Sequence, residues 1–177
     1  MSRESTMTRR YNVMAACVVV LVITPQLMSC DYKPQPKSFK DYVVRGEFLT
    51  RRGRLDEAIE NYRKTLEIDP ESAVVYLRLG QALRRQGKLD QAIESYGKAL
   101  SHDPKLLLAY LEWGKLLQSQ GKLDEAIEKY QKVTEFDPKS YLAYKFWADT
   151  LKQQGKLNEA EKMFRKASEV DPTIHRR

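Results

Sequence analysis

Histidine and cysteine are nearly missing from this chain, with two of each in 177 residues. His102 stands just before Asp103-Pro104 and His175 lies in the last three residues, positions that suit solvated side chains better than ligands. Cys17 and Cys30 give neither a zinc spacing nor a redox pair. No glycine-rich phosphate loop exists, because most of the eight glycines fall at wide, regular intervals. The carboxylates recur at helix-surface and capping positions rather than as a converging pair. These absences argue against an enzyme and against a bound metal or cofactor. A basic stripe is missing too. The net charge is +7, of which residues 1–29 supply +2, and the remaining charges of both signs are interspersed. Nucleic acid is therefore not an expected partner. Nor is there an apolar run of the ~20 residues that a membrane-spanning helix needs; the longest, Val13 to Ile23, has eleven.

That short run is informative. Arg3, Arg9 and Arg10 precede it, the order of a basic and then an apolar region in a secretory signal. A buried first helix, or an anchor extended through Met28, is the alternative, and Pro25 and Gln26 interrupt such a helix. Leu27-Met28-Ser29-Cys30 follows directly and resembles the lipobox of bacterial lipoproteins. The resemblance implies that residues 1–29 are a signal peptide, that Cys30 becomes the acylated first residue, and that the chain reaches a membrane through it. Two or three acyl chains anchor a protein stably where one does not. In the enteric members of that group an Asp after the Cys marks the inner membrane. Asp31 thus points to the periplasmic face of the inner membrane, in the cell envelope, with the outer membrane as the alternative. Residues 30–38, with Pro34 and Pro36, read as lipidated Cys plus tether.

The rest of the chain repeats itself every 34 residues. Gly53-Arg-Leu-Asp-Glu-Ala returns as Gly87-Lys-Leu-Asp-Gln-Ala, Gly121-Lys-Leu-Asp-Glu-Ala and Gly155-Lys-Leu-Asn-Glu-Ala. Tyr62, Tyr96, Tyr130 and Phe164 follow each segment, and Asp-Pro closes each at Pro70, Pro104, Pro138 and Pro172. Glycine tolerates the left-handed backbone that ends a helix. Asp56, Asp90, Asp124 and Asn158 are expected to cap the next helix, and proline separates the units. Ser38, with Asp41 three residues on, is expected to cap the first helix. Each period thus holds two helices of roughly 12–14 residues. Ala58, Ala92, Ala126 and Ala160 allow close approach, and the aromatic four residues later lies on the same face.

The helix before each glycine has its own pattern: Tyr42, Tyr76, Tyr110 and Tyr144; Gly46, Gly80, Gly114 and Ala148; Leu49, Leu83, Leu117 and Leu151. This resembles the tetratricopeptide repeat, with Tyr in the Trp place and Leu in the later Tyr place. The resemblance implies an all-α solenoid of four helix-turn-helix repeats, 39–72, 73–106, 107–140 and 141–174, eight antiparallel helices in a right-handed superhelical arc, with 175–177 as a tail. Glu161 and Ser168 replace apolar residues of earlier repeats, so the last helix is expected to be polarised where nothing packs beyond it.

Members of this family bind proteins or peptides along a concave face lined by the first helix of each repeat. Mapped here, that face takes in Val74, Leu77, Arg78, Gln81, Arg84, Leu108, Leu111, Lys115, Leu142, Lys145 and Lys152. It reads as an apolar floor, Val74, Leu77, Leu108, Leu111 and Leu142, flanked by mostly basic residues, suited to an amphipathic or extended client with acidic groups. The lysines, asparagines and arginine by which chaperone-binding relatives clamp a carboxylate are not matched: those places read Val43, Glu47, Arg78, Leu108 and Glu112. The expected function is a membrane-tethered, non-catalytic scaffold for assembly of an envelope complex. A self-assembling structural protein, dimeric or filamentous through its ends, is the alternative.

Overall fold

The structure, a computed structural model, describes residues 38–171. Cys30, the stretch read as a signal and the C-terminal tail lie outside the described residues. Eight helices follow one another: α1 (Phe39–Arg51), α2 (Leu55–Ile68), α3 (Ala73–Arg85), α4 (Leu89–His102), α5 (Leu107–Ser119), α6 (Leu123–Phe136), α7 (Tyr141–Gln153) and α8 (Leu157–Val170). Each 34-residue period folds as one helical pair.

Glycine ends the first helix of every pair in the same way. Gly53, Gly87, Gly121 and Gly155 have φ of 75°, 83°, 77° and 79°. With that residue left-handed, the next N–H reaches back to the third-last helical carbonyl: Arg54 donates to Leu49, Lys88 to Leu83, Lys122 to Leu117 and Lys156 to Leu151, at 2.9–3.0 Å. This is the Schellman arrangement, and it satisfies carbonyls the helix leaves open. At the other end of the pair, Asp69, Asp103 and Asp137 hold the turn through proline. Their Oδ1 atoms accept the N–H of Glu71, Lys105 and Lys139 at 3.3, 2.9 and 3.0 Å.

Ser38 caps α1 as the sequence implies, accepting the N–H of Asp41 at 3.3 Å. The expected caps of the second helices are corrected. Asp56, Asp90, Asp124 and Asn158 sit inside the first turn, and the cap positions are Arg54, Lys88, Lys122 and Lys156, which make no side-chain cap bond. Two of the aspartates instead tie neighbouring repeats together. Gln86 Nε2 donates to Asp56 Oδ1 at 2.5 Å, and Gln154 Nε2 donates to Asp124 Oδ1 at 2.8 Å. A carboxylate in the first turn also complements the helix dipole.

Within each pair the helices meet at a glycine and a tyrosine. Tyr62, Tyr96 and Tyr130 are no more than 1% exposed, and the alanine four residues before each is wholly buried. The ring edge lies so close to the first helix that a Cβ at Gly46, Gly80 or Gly114 would stand 2.6, 2.6 or 2.5 Å from Cε1 of the tyrosine. Repeats 1 to 3 leave no room for a side chain there. In repeat 4 the small residue is Ala148, and the aromatic, Phe164, is 36% exposed.

Successive pairs stack, and the first helices touch across repeats, α1 with α3, α3 with α5 and α5 with α7. The second helices have no comparable contacts. The array is therefore tighter along its first helices, which places them on the inside of the curve. α8 buries only Ala160 and Ala167, and Glu161 is exposed on it, as the polar substitutions imply. Leu157, four residues before Glu161, is 63% exposed on the same open edge.

Glycine at position 97 is a contrast. It lies inside α4, and a Cβ there would meet nothing within 4 Å. Gly80→Ala is expected to cost about 1–3 kcal/mol through overpacking. Gly97→Ala is expected to stabilise by about 0.5–1 kcal/mol through helix propensity. Midpoints of urea unfolding measure both.

Candidate protein-binding groove

The first turns of α3, α5 and α7 each present one exposed apolar side chain. Val74 is 52% exposed, Leu108 43% and Leu142 48%. They stand one repeat apart in sequence, so the stacking of the first helices sets them in a ladder. Repeat 1 carries Lys40 at the matching place.

The rest of the expected floor is corrected. Leu77 and Leu111, three residues further along the same helices, are 2% and 8% exposed and belong to the core. Facing a groove and facing the seam between first helices differ by less than one helical turn. The close contact of α3 with α5 closes over that seam. Val43 and Lys145, the equivalents in repeats 1 and 4, are half-buried.

The cations beside the ladder are largely spent on neighbouring carboxylates. Arg78 Nε lies 3.2 Å from Glu47 Oε1, and its Nη1 donates to Gln81 Oε1 at 3.4 Å. Arg84 Nη2 lies 3.2 Å from Glu112 Oε2, and Lys115 Nζ pairs with the other oxygen of the same carboxylate. Glu112 is 7% exposed, so a single buried carboxylate joins α3 to α5 through Arg84 and is shared with Lys115 of its own helix. Breaking such a group strands a charge, whereas its net worth over an apolar pair is small. Lys115 also lies 5.5 Å from the Phe146 ring centroid, and Lys145 lies 5.7 Å from it. Lys152 is exposed and has no ion-pair partner among the described residues. Of the cations expected in the groove, Arg78, Arg84 and Lys115 are therefore engaged with carboxylates and Lys145 with a ring, while Lys152 is engaged with neither among the described residues.

Between repeats 1 and 2 the groove deepens to a cavity of about 350 Å3, lined by Glu47, Thr50, Arg51, Tyr62, Arg78 and Gln81. Tyr62, which holds the first helical pair, ends here. The Tyr62 hydroxyl lies 3.2 Å from Thr50 Oγ1, and the Tyr130 hydroxyl donates to Gln118 Oε1 at 3.2 Å. A second cleft, of about 590 Å3, opens on the side of the second helices between α2 and α4, with Tyr76, Leu79 and Leu83 of α3 among its lining. The sequence pattern gave no sign of it, because it is formed by the gap between helices rather than by any one face. Among the described residues there is no group of three His, Cys, Asp or Glu side chains that could hold a metal ion, and no helix long and apolar enough to cross a membrane.

Three tetratricopeptide repeat models match the chain, over residues 42–105, 77–141 and 117–176. It belongs to the tetratricopeptide repeat family. No curated protein matches it. Among solved structures it is similar to a crystal structure of MamA, at 27% identity and a TM-score of 0.73, covering 81% of this chain and 84% of that one. MamA of Desulfovibrio magneticus RS-1, from residue 41 to its end, gives 19% identity and a TM-score of 0.69, covering 77% of each chain. Pseudomonas aeruginosa PilF gives 24% identity and a TM-score of 0.68, over 76% of this chain and 61% of that one. At those two identities the likeness speaks to the fold. A protein-interaction scaffold of eight helices in paired repeats is what the family and the structure have in common.

Burial raises the hydroxyls of all three repeat tyrosines above the ordinary phenol range, Tyr96 to about 12. The buried state favours the neutral phenol, and the unfolded chain ionises near pH 10. Stability from this source is complete below pH 10 and is lost as the pH climbs toward 12. The share of tyrosinate absorbance due to Tyr62, Tyr96 and Tyr130, read as the difference from single Tyr→Phe variants at those positions, is expected to appear together with the loss of helical circular dichroism in that window.

Proposed function

We propose that this tetratricopeptide repeat protein is a membrane-tethered scaffold that holds a client segment along its first helices and assists assembly of a cell-envelope complex. One observation carries the groove: Val74, Leu108 and Leu142, three half-exposed apolar side chains at one-repeat intervals. Exposed apolar side chains in a row, rimmed by polar groups, are how a soluble surface marks a partner site. An amphipathic or extended segment supplies apolar side chains to such a ladder. Its acidic groups suit Lys145 and Lys152 of repeat 4, which no carboxylate pairs among the described residues. Arg78, Gln81, Arg84 and Lys115 then act as a rigid polar wall, already engaged with one another or with Glu47 and Glu112.

The tether rests on the sequence alone. An apolar stretch of eleven residues after three arginines, and then Leu-Met-Ser-Cys, supports acylation at Cys30 and residence in the envelope, with Asp31 favouring the periplasmic face of the inner membrane.

Two measurements separate these parts. Leu108→Glu is expected to lower client capture at least tenfold in cross-linking from intact cells, with the helical signal of the purified chain unchanged. Equal capture by that variant removes the groove from the proposal. Cys30→Ser is expected to abolish palmitate labelling and to release the chain from the membrane fraction. Labelling that persists places the lipid elsewhere.

A further inference from the structure

In repeats 2 to 4 the tenth residue of the repeat is sealed against the preceding pair of helices. Ala82, Leu116 and Thr150 are at most 1% exposed. Repeat 1 has no described pair before it, and the residue there is Phe48, 50% exposed; Val44, one turn earlier, is 63% exposed. Lys40, Val44, Phe48, Arg51 and Arg52 fall within about 120° of the circumference of α1, at 100° per residue. Lys40, Arg51 and Arg52 are all exposed. The Arg52 guanidinium lies 5.3 Å from the Phe48 ring centroid. One carboxylate, Asp41, shares the arc and accepts a hydrogen bond from the Ser38 hydroxyl at 2.9 Å. Two apolar side chains among three cations make up a face that suits the headgroup boundary of an anionic bilayer.

The length of chain before α1 says what this face meets. Ser38 is the eighth residue after Cys30, and eight residues reach at most about 28 Å. α1 itself is about 20 Å long. Lys33 and Lys37 lie in that stretch, against one Asp31. An anchor in the apolar stretch that ends at Met28 leaves α1 about equally near. At the opposite edge of the array Glu161, beside the exposed Leu157, is paired with Arg165 at 3.6 Å.

We infer that the Val44–Phe48 face of α1 docks on an anionic lipid surface, which holds repeat 1 against the membrane and leaves repeat 4 at the far end of the array. This rests on the tether proposed above. Three cations steer the face, and the Phe48 and Val44 side chains enter the boundary. The open edge of repeat 1 is then closed by lipid instead of by another pair of helices.

The test uses the full chain with its anchor, reconstituted into vesicles and carrying Phe48→Trp. The two natural tryptophans, Trp113 and Trp147, lie in repeats 3 and 4 and serve as the internal background. In phosphatidylglycerol vesicles the added indole is expected to be quenched by brominated acyl chains and shielded from iodide. Arg51→Gln with Arg52→Gln is expected to lower the docked-to-undocked ratio about 25-fold, near fivefold for each arginine. Phosphatidylcholine vesicles are expected to reproduce that loss. An indole open to iodide in phosphatidylglycerol overturns the inference. Shielding without lipid quenching, rising with the protein-to-lipid ratio, also overturns it and assigns the face to a second copy of the chain. Co-sedimentation with either vesicle separates the two readings. A chain that sediments but shows no lipid quenching keeps its tether and loses the docked face, while a chain that never sediments loses both.

Discussion

The array depends on a tyrosine ring laid edge-on to a glycine. Gly46, Gly80 and Gly114 bring the two helices of a pair so close that the ring of Tyr62, Tyr96 or Tyr130 occupies the place of a side chain. Interiors are packed to near crystal density, so a contact this tight fixes the spacing of the pair. It also aims the tyrosine hydroxyl at the inner surface, beside Thr50 and Gln118. Pair geometry and the floor of the groove are thus set by the same side chain.

From that spacing the rest follows by repetition. Each pair presents a face to the next, and the inner helices touch while the outer ones stand apart. Repeats of this kind gain stability from intrinsic and nearest-neighbour terms. The links between neighbours are polar as well as apolar, through Gln86 with Asp56, Gln154 with Asp124, and Glu112 between Arg84 and Lys115. The two ends of the array therefore carry surfaces with no described neighbour. At α8 the sequence places Glu161 and Ser168 there. At α1 it leaves Val44 and Phe48, ringed by cations. Terminal repeats of a solenoid usually carry a polar outer face; here both described ends also keep exposed apolar side chains, Val44 and Phe48 at α1 and Leu157 at α8.

Much of the fold was legible before any coordinates. The 34-residue period gave eight helices, the left-handed glycines, the small alanine beside the aromatic and the Ser38 cap. The aspartates of the second helices misled. Asp after a turn suits a cap, yet Arg54 and its equivalents take that place because the Schellman turn already fixes where the next helix starts. The partner of Asp56 lies thirty residues on, in the next repeat, beyond the reach of any local rule. The groove was legible in part. Val74, Leu108 and Leu142 stand open as expected of that face, whereas Leu77 and Leu111 are core. Helical periodicity assigns a direction to a residue but not the depth to which a neighbouring helix covers it.

The sequence by itself determined the repeat, its length, its two helices and the left-handed glycine between them, because each rests on residues close enough in the chain for local geometry to dictate them. Only the tertiary structure decided which of the inner leucines are open, which cations are neutralised by a carboxylate from the next repeat, and which side chains of α1 and α8 have no described neighbour. Those outcomes depend on how far one helical pair is displaced against another, and that displacement is a sum of many side-chain contacts between residues of different repeats.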